Sequence, residues 1–143
     1  MNSLRQRAIR LLARREHTRA ELARKLAPHG TPDEIATVLT ELEASHLQSD
    51  ARFAEAYVRG HAQRLGAARL RQTLRTKGVA SELIDAQLSA DTLPDELERA
   101  RALWNRKFTA PADGKEWARQ ARFLQGRGFS VEVIRRLLKE PRS

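Results

Sequence analysis

The sequence predicts an all-α protein of three tandem three-helix repeats, forming an elongated, curved modular molecule. Apolar residues recur at helical spacing, no segment is typical of a strand, and one motif of leucine, glycine, glutamate, isoleucine and leucine occurs three times. The copies are Leu26, Gly30, Glu34, Ile35 and Leu39; Leu74, Gly78, Glu82, Ile84 and Leu88; and Leu124, Gly128, Glu132, Ile134 and Leu138. Repeats at periods of roughly 20 to 50 residues indicate one supersecondary unit stacked several times.

The first predicted repeat covers residues 1–48 and contains three helices. An apolar stripe marks the first helix at Leu4, Ala8, Leu11 and Leu12. Thr18 and Glu21 form a capping box that predicts the start of the second helix, over residues 19–26. Thr31 gives a third start signal, because a proline and a glutamate follow it at capping-box spacing.

The second predicted repeat covers residues 49–90. Asp50 is expected to cap its first helix, a short helix ends at a glycine, and Ser81 opens the last helix. The glycines of the repeated motif are interpreted as C-terminal helix stops and not as phosphate-binding residues: Gly30, Gly78 and Gly128.

The third predicted repeat covers residues 91–143. Its first helix begins near Pro94 and extends to Phe108, and a break follows at residues 110–113. A second helix is expected over residues 115–125. The third helix of this repeat should follow Ser130, which completes nine helices in three groups.

Composition favours a folded protein that binds polyanions or acidic surfaces. The chain of 143 residues has a net charge of +9 and is 41% hydrophobic, too apolar for a disordered basic tail. It has no cysteine, which excludes disulfides and thiolate chemistry. No apolar run approaches the roughly 20 residues that span a bilayer, so we expect no membrane contact and a cytoplasmic location.

The residues that could support catalysis are scattered. The four histidines lie in separate segments with no pair at the spacing of a helical metal site, and each is expected at the surface or in a cap. No phosphate-binding loop, dinucleotide fingerprint or nucleophile elbow is present. We therefore expect no enzyme activity, no catalytic residues, no metal and no cofactor.

Basic charge is concentrated in one long stretch. The 26 residues between Glu55 and Glu82 contain no acid, and they carry Arg59, His61, Arg64, Arg69, Arg71, Arg75 and Lys77. Arg71 and Arg75 are four residues apart and project from the same side of a helix, where they could meet two phosphates or two acidic side chains. Residues 117–131 and the first 15 residues also contain no acid, and three such segments favour a functional face.

Four segments of the chain are similar to those of one known family: AIRLLARREHTRAELARKL at residues 8–26, DARFAEAYVR at residues 50–59, the Lys77-Gly78 turn with Ser81 to Ile84 after it, and RGFSVEVI at residues 127–134. Through these segments the chain resembles the RecX family of bacterial regulators of the RecA recombinase. In this order and spacing, the four segments extend over nearly the whole chain. Many family members have consecutive acidic residues where this chain has Ser49 and Asp50, a difference that affects a helix cap.

This resemblance implies a non-enzymatic modulator, mainly an inhibitor, that lies in the groove of the RecA filament on single-stranded DNA. It implies suppression of ATPase and strand exchange, with net filament disassembly, by a protein expected to be a monomer. From charge clustering we expect contact with RecA or DNA through Arg59, Arg69, Arg71, Arg75 and Lys77. Direct nucleic-acid binding stays open. Among the signature residues, Phe53 is expected in the core and Arg52 between two repeats.

Two other functions remain open from the residues alone. Residues 18–42 could form a helix-turn-helix of a DNA-binding transcriptional regulator. Against this, the would-be recognition helix, residues 32–42, contains Asp33, Glu34 and Glu41 but no Arg or Lys. The chain could also be a plain helical scaffold whose charge aids solubility.

Overall fold

The computed structural model describes residues 3–139, which fold into helices without a strand. This confirms the all-α prediction. The helices are α1 (Leu4–Arg14), α2 (Arg19–Leu26), a short 3₁₀ helix (Ala27–His29), α3 (Pro32–Ala44), α4 (Asp50–His61), α5 (Ala67–Thr76), α6 (Ser81–Leu88), α7 (Glu96–Lys107), α8 (Gly114–Gly126) and α9 (Val131–Lys139). None of these helices is long and apolar enough to cross a membrane. Residues 1, 2 and 140–143, at the ends of the first and third predicted repeats, lie outside the described residues.

Capping boxes begin the helices of the first predicted repeat. The side chain of Thr18 accepts a hydrogen bond from the backbone N–H of Glu21, and the Glu21 carboxylate accepts one from the N–H of Thr18. Thr31 and Glu34 make the same reciprocal pair before α3. These bonds satisfy N–H groups that have no partner inside the helix, so the two predicted starts are confirmed.

The predicted cap of α4 is wrong by one residue. The hydroxyl of Ser49, not the carboxylate of Asp50, accepts the hydrogen bond from the N–H of Arg52, at 3.1 Å. Asp50 is the first residue of the helix and uses its carboxylate elsewhere, accepting from the backbone N–H of Arg19 and from Nε2 of Gln48, each at 2.8 Å. The Asp50 side chain, which the local sequence predicts as the cap, is therefore used in hydrogen bonds with Arg19 and Gln48 instead.

The described chain divides into two compact units that both use discontinuous segments. One unit comprises Met1–Ala56 and Leu74–Ile84, and the other comprises Tyr57–Thr73 and Asp85–Ser143, counted to the chain ends. Both units draw residues from the second predicted repeat. The repeat boundaries at 48 and 90 stay a prediction.

The first unit is packed around α1, α2 and α3. Its core consists of buried aliphatic residues from these three helices: Ala8, Leu22, Leu26, Ile35, Leu39 and Leu42. Leu22 and Leu42 are completely inaccessible to solvent. Since each of these helices is short, burial of one apolar face supplies most of its stability.

The second unit has a larger core that includes aromatic residues. It contains Leu97, Ala100, Leu103, Trp104, Leu124, Phe129, Ile134, Leu137 and Leu138. The indole N–H of Trp104 donates to Oε1 of Gln120 at 2.7 Å, so the buried polar atoms of both side chains are paired. Arg99 is also buried and donates from Nη1 to the carbonyl oxygens of Ala62 and Leu65, which fixes the end of α4 against α7.

Two of the three repeated glycines follow their helices in the left-handed backbone region. Gly78 has φ +90° and Gly128 has φ +93°, conformations in which a side chain is strained. Gly30 is different, because its backbone is extended, and a Cβ there would lie 2.6 Å from Leu4 Cδ1. Helix termination by a left-handed residue therefore does not account for glycine at that position, where a side chain would require Leu4 to shift.

Gly128→Ala should destabilise the protein by at least about 2 kcal/mol, from the cost of a left-handed alanine and from collision with Arg69. For a chain of this size the melting temperature should fall by roughly 8 °C. Gly126→Ala is the matched control, because a Cβ at this helical position meets nothing within 4 Å. Thermal unfolding followed by circular dichroism should show little change or a small gain for the control. Equal melting temperatures for the two variants would contradict the strain argument.

Candidate functional site

The expected contact residues all lie on α4 and α5 or directly after α5, and they belong to both units. Arg59 on α4 and Arg69 and Arg71 on α5 fall in the second unit. Arg75, at the end of α5, and Lys77, just after it, fall in the first unit. Arg59, Arg69 and Arg75 are exposed, whereas Arg71 and Lys77 are half-buried.

Within the second unit, the three arginines are engaged with the fold to different degrees. Arg69 donates from Nη1 to the carbonyl oxygen of Gly126 at 3.0 Å. Arg71 forms an ion pair with Asp85, with Nη1 2.7 Å from Oδ1. Arg59 also interacts within the fold. Since an exposed ion pair is worth about 1 kcal/mol or less, a polyanion can compete with Asp85 for the Arg71 guanidinium.

The two basic residues of the first unit differ sharply. The Arg75 side chain has no hydrogen bond or ion pair within residues 3–139 and extends into solvent. Lys77 instead pairs with the buried carboxylate of Glu21, with Nζ 3.2 Å from Oε2. The backbone carbonyl of Lys77 also accepts a hydrogen bond from the hydroxyl of Thr18, at 2.6 Å. Lys77 therefore has a structural role that its place in an acid-free stretch does not indicate.

Glu21 is the anionic centre of this network. Besides Lys77, the Arg15 guanidinium donates to both of its carboxylate oxygens, at 3.3 and 3.4 Å. Burial raises the pKa of Glu21, but the N–H of Thr18 and the two cations outweigh it and lower the pKa to about 2. The carboxylate is thus charged at neutral pH although its side chain is only 7% exposed.

His17 lies beside this network and is buried, which contradicts the expected surface or capping role. Its Nδ1 is 3.0 Å from the carbonyl oxygen of Arg15, and its Nε2 is 3.1 Å from Nζ of Lys25. Desolvation by burial lowers the pKa of His17, which favours the neutral ring. Lys25 can only donate, so Nε2 accepts and Nδ1–H donates to Arg15. A lone histidine in a basic segment carries no sequence signal for this arrangement.

The signature residues Arg52 and Phe53 have structural roles, as predicted. Phe53 is buried. Arg52 donates from Nε to Oε2 of Glu16 at 2.5 Å, and its other nitrogens donate to the carbonyl oxygens of His46 and Leu47. Arg52 therefore connects α4 with residues of the first predicted repeat, as expected for a residue between two repeats.

The acid-free segment at residues 117–131 lies in the second unit and combines cations with aromatic rings. Phe108 and Phe123 meet edge to face, with ring centroids 5.2 Å apart. Arg127 and Lys107 lie over the Phe123 ring at 5.0 and 5.5 Å, and Arg119 lies over Phe108 at 5.7 Å. These cations already cover the ring faces, and Phe108 and Phe123 also pack against the core. The arrangement favours a packing role for the rings.

The helix that would enter DNA in a helix-turn-helix protein is acidic. α3 carries Asp33, Glu34, Glu41 and Glu43 without a lysine or arginine. The apolar side of α3 packs into the first core. No group of three histidine or acidic side chains able to hold a metal ion occurs within residues 3–139.

Family models and known proteins give one consistent match. Three models match in order: "RecX, first three-helix domain" over residues 5–42, the second such domain over 49–88 and the third over 94–138. "Regulatory protein RecX" of Leptothrix cholodnii is 52% identical over 96% of this chain and 88% of its own length. The protein of that name from Chromobacterium violaceum is 47% identical, over 95% of this chain and 89% of its own length.

Solved structures show the same fold. The crystal structure of RecX from Lactobacillus salivarius matches with a TM-score of 0.76 and 21% identity, over 95% of this chain and 92% of that one. A crystal structure of a regulatory protein RecX matches with a TM-score of 0.78 and 23% identity, over 96% of this chain and 72% of that one.

Glu21→Gln should lower the free energy of unfolding by about 3 kcal/mol at pH 7, because the variant loses the charge that Arg15 and Lys77 stabilise. The folded-state pKa lies below the ordinary value of 4.5, so this stability is present above pH 4.5 and is lost as the pH falls towards 2. Urea unfolding of the wild-type protein and the variant at pH 7, 4.5 and 3 should show that the difference between their free energies of unfolding becomes smaller as the pH falls.

Glu43→Gln is the control for that experiment. Glu43 also pairs with an arginine, Arg19, at 2.8 Å, but its side chain is 56% exposed. We expect a loss below about 1 kcal/mol for this substitution. A loss at Glu43 as large as that at Glu21 would contradict the special role of the buried carboxylate.

Proposed function

This chain belongs to the RecX family of regulatory proteins, and from that premise we propose that it regulates the RecA recombinase. It binds in the groove of the RecA filament on single-stranded DNA. Binding there suppresses ATP hydrolysis and strand exchange. The family resemblance drawn from the sequence is confirmed, and the mode of regulation is the step that we add to it.

The observation that supports this proposal is the acid-free stretch between Glu55 and Glu82. In the structure it presents exposed arginines on both α4 and α5. A filament on DNA is a polyanion, so long-range attraction brings this surface towards it and raises the rate of encounter.

We propose that five residues make the contact: Arg59, Arg69, Arg71, Arg75 and Lys77. Arg75 reaches solvent without a competing partner in the described chain, so it can bind without breaking an internal bond. To make the new contact, Arg69 must release the carbonyl oxygen of Gly126. Arg71 must release the carboxylate of Asp85. Lys77 contributes through ammonium protons that Glu21 does not use.

The role is regulatory and non-enzymatic, and it is exerted by a monomer in the cytoplasm. Three tandem repeats over residues 1–48, 49–90 and 91–143 would let one chain touch several RecA protomers. Such multivalent contact raises avidity without requiring any single strong site. Transcriptional regulation through a helix-turn-helix is disfavoured by the acidic α3.

The direct test is the steady-state ATPase of RecA assembled on single-stranded DNA, titrated with this protein in moderate salt. Inhibition at protein ratios far too low to coat the DNA would support action on the filament. No inhibition, together with tight binding to duplex DNA alone, would reject the proposal and favour the helix-turn-helix function.

Arg71→Glu with Arg75→Glu should raise the protein concentration for half-maximal ATPase inhibition by roughly tenfold, because two attractive surface charges become repulsive. Lys115→Glu with Arg135→Glu makes the same change in net charge at exposed positions outside the acid-free segments. This control pair should leave inhibition nearly unchanged. Circular dichroism should show intact helicity in both variants. Undiminished inhibition by the Arg71 and Arg75 variant would remove these residues from the interface.

A further inference from the structure

The chain from Ala62 to Ala67 forms the corner between α4 and α5, and its backbone is bound by side chains of α7. Arg99 donates from Nη1 to the carbonyl oxygens of Ala62 and Leu65, at 2.8 and 2.7 Å. The carboxylate of Glu96 accepts a hydrogen bond from the backbone N–H of Ala67, at 2.7 Å. All of these residues belong to the second unit. One turn of α7 therefore binds both sides of the corner.

The two side chains match the charges of the helix ends that they bind. Glu96 and Arg99 are three residues apart on the first turn of α7, so they project from one face of that helix. The C-terminal end of a helix carries partial negative charge, and Arg99 binds the chain at that end of α4. The N-terminal end carries partial positive charge, and Glu96 binds that end of α5. Both contacts are therefore electrostatically favourable.

The sequence next to α5 does not supply this acceptor. Gly66 precedes the helix, and its carbonyl oxygen accepts a hydrogen bond from the N–H of Leu70, at 3.1 Å. A Cβ at Gly66 would collide with the carbonyl group of Gly128, so a capping side chain does not fit there. The N–H of Gly66 donates to the carbonyl oxygen of Arg127, at 2.8 Å. The side-chain acceptor at the start of α5 therefore comes from a distant residue, Glu96.

Stability alone does not account for a buried arginine at this corner. Arg99 is 8% exposed, and a charge removed from water costs free energy that its hydrogen bonds must offset. A well-packed apolar side chain often stabilises a core equally well. The planar guanidinium can also bind several carbonyl groups in a fixed geometry, which an apolar side chain cannot. Nε of Arg99 donates to the carbonyl oxygen of Pro94 at 3.2 Å, which fixes the orientation of the plane.

The corner determines where three of the proposed filament contacts lie. Arg59 is in the last turn of α4, shortly before the corner, and Arg69 and Arg71 are in α5, shortly after it. A change in the angle between the two helices would move Arg59 relative to the other two. A surface that is held in its binding arrangement before it meets its partner binds more tightly, because less conformational freedom is lost.

We propose that Glu96 and Arg99 are positioning residues that hold α4 and α5 in the arrangement in which Arg59, Arg69 and Arg71 meet the filament. This inference rests on the function proposed above. Glu96 and Arg99 act through the corner and do not themselves bind the filament. Their loss therefore weakens binding although all five contact residues are still present.

The arrangement of α4 and α5 can be measured without RecA. The chain has no cysteine, so nitroxide labels attach only to the cysteines of Gly60→Cys and Gln72→Cys, at exposed positions on the two helices. Double electron–electron resonance then gives the distribution of distances between the labels. This distribution should be narrow in the otherwise unaltered protein, and broader or shifted after Glu96→Ala or Arg99→Gln. Circular dichroism checks that each variant is folded.

Two controls separate positioning from stability. Glu96→Gln keeps an acceptor oxygen for the N–H of Ala67, so it should keep the narrow distribution. Gln120→Ala leaves the buried indole N–H of Trp104 without its acceptor, and it does not alter the hydrogen bonds of Glu96 or Arg99. This variant should have a lower melting temperature but the same narrow distribution.

Inhibition of the RecA ATPase by the same variants, without labels, connects the corner to function. Glu96→Ala and Arg99→Gln should raise the concentration for half-maximal inhibition several-fold, whereas Glu96→Gln and Gln120→Ala should match the unaltered protein. Glu96→Ala removes one hydrogen bond of a half-buried residue, so it decides the test alone if Arg99→Gln does not fold.

Two results would overturn the proposal while the unaltered protein inhibits RecA. One is an unchanged distance distribution in folded Glu96→Ala and Arg99→Gln proteins, and the other is an altered distribution with undiminished inhibition. Absence of inhibition by the unaltered protein would instead reject the proposed function, and the role of the corner in it.

Discussion

The buried carboxylate of Glu21 is the interaction on which the first unit depends. It receives the Thr18 N–H that starts α2, the guanidinium of Arg15 and the ammonium of Lys77. A buried charge is costly unless it is paired and hydrogen-bonded, so all three donors must be present together. The Thr18 hydroxyl adds a bond to the Lys77 carbonyl. One side chain therefore couples the start of a helix to a turn 56 residues later in the chain.

Helix starts were predictable where the capping signal is local. Thr18 with Glu21 satisfies its own backbone within four residues, and the distant Lys77 bonds the same two side chains without displacing that local pair. Asp50 was predicted wrongly because Ser49 and Asp50 are both good capping residues, and the choice rests on Arg19, which lies 31 residues away. Local signals fix an element only when no distant group draws the capping side chain away from the local backbone.

The candidate surface was predictable as a region but not in its detail. The absence of acids between Glu55 and Glu82 is visible in the sequence, and the exposure of Arg75 agrees with it. Two contacts depend on how distant segments pack together and are not visible in the sequence. They are the ion pair of Lys77 with Glu21 and the hydrogen bond from Arg69 to the carbonyl of Gly126, 57 residues away.

The discontinuous first unit has a consequence for how this protein is made. Ribosomes add about 5 to 20 residues per second, so Lys77 is synthesised roughly 3 to 11 s after Glu21. During that interval the nascent chain holds a carboxylate that has Arg15 but lacks its second cation. Completion of the unit must also wait for residues 74–84, after the first segment of the other unit has been made. The first unit therefore cannot reach its final packing until residue 84 has been made, more than halfway through synthesis of the 143-residue chain.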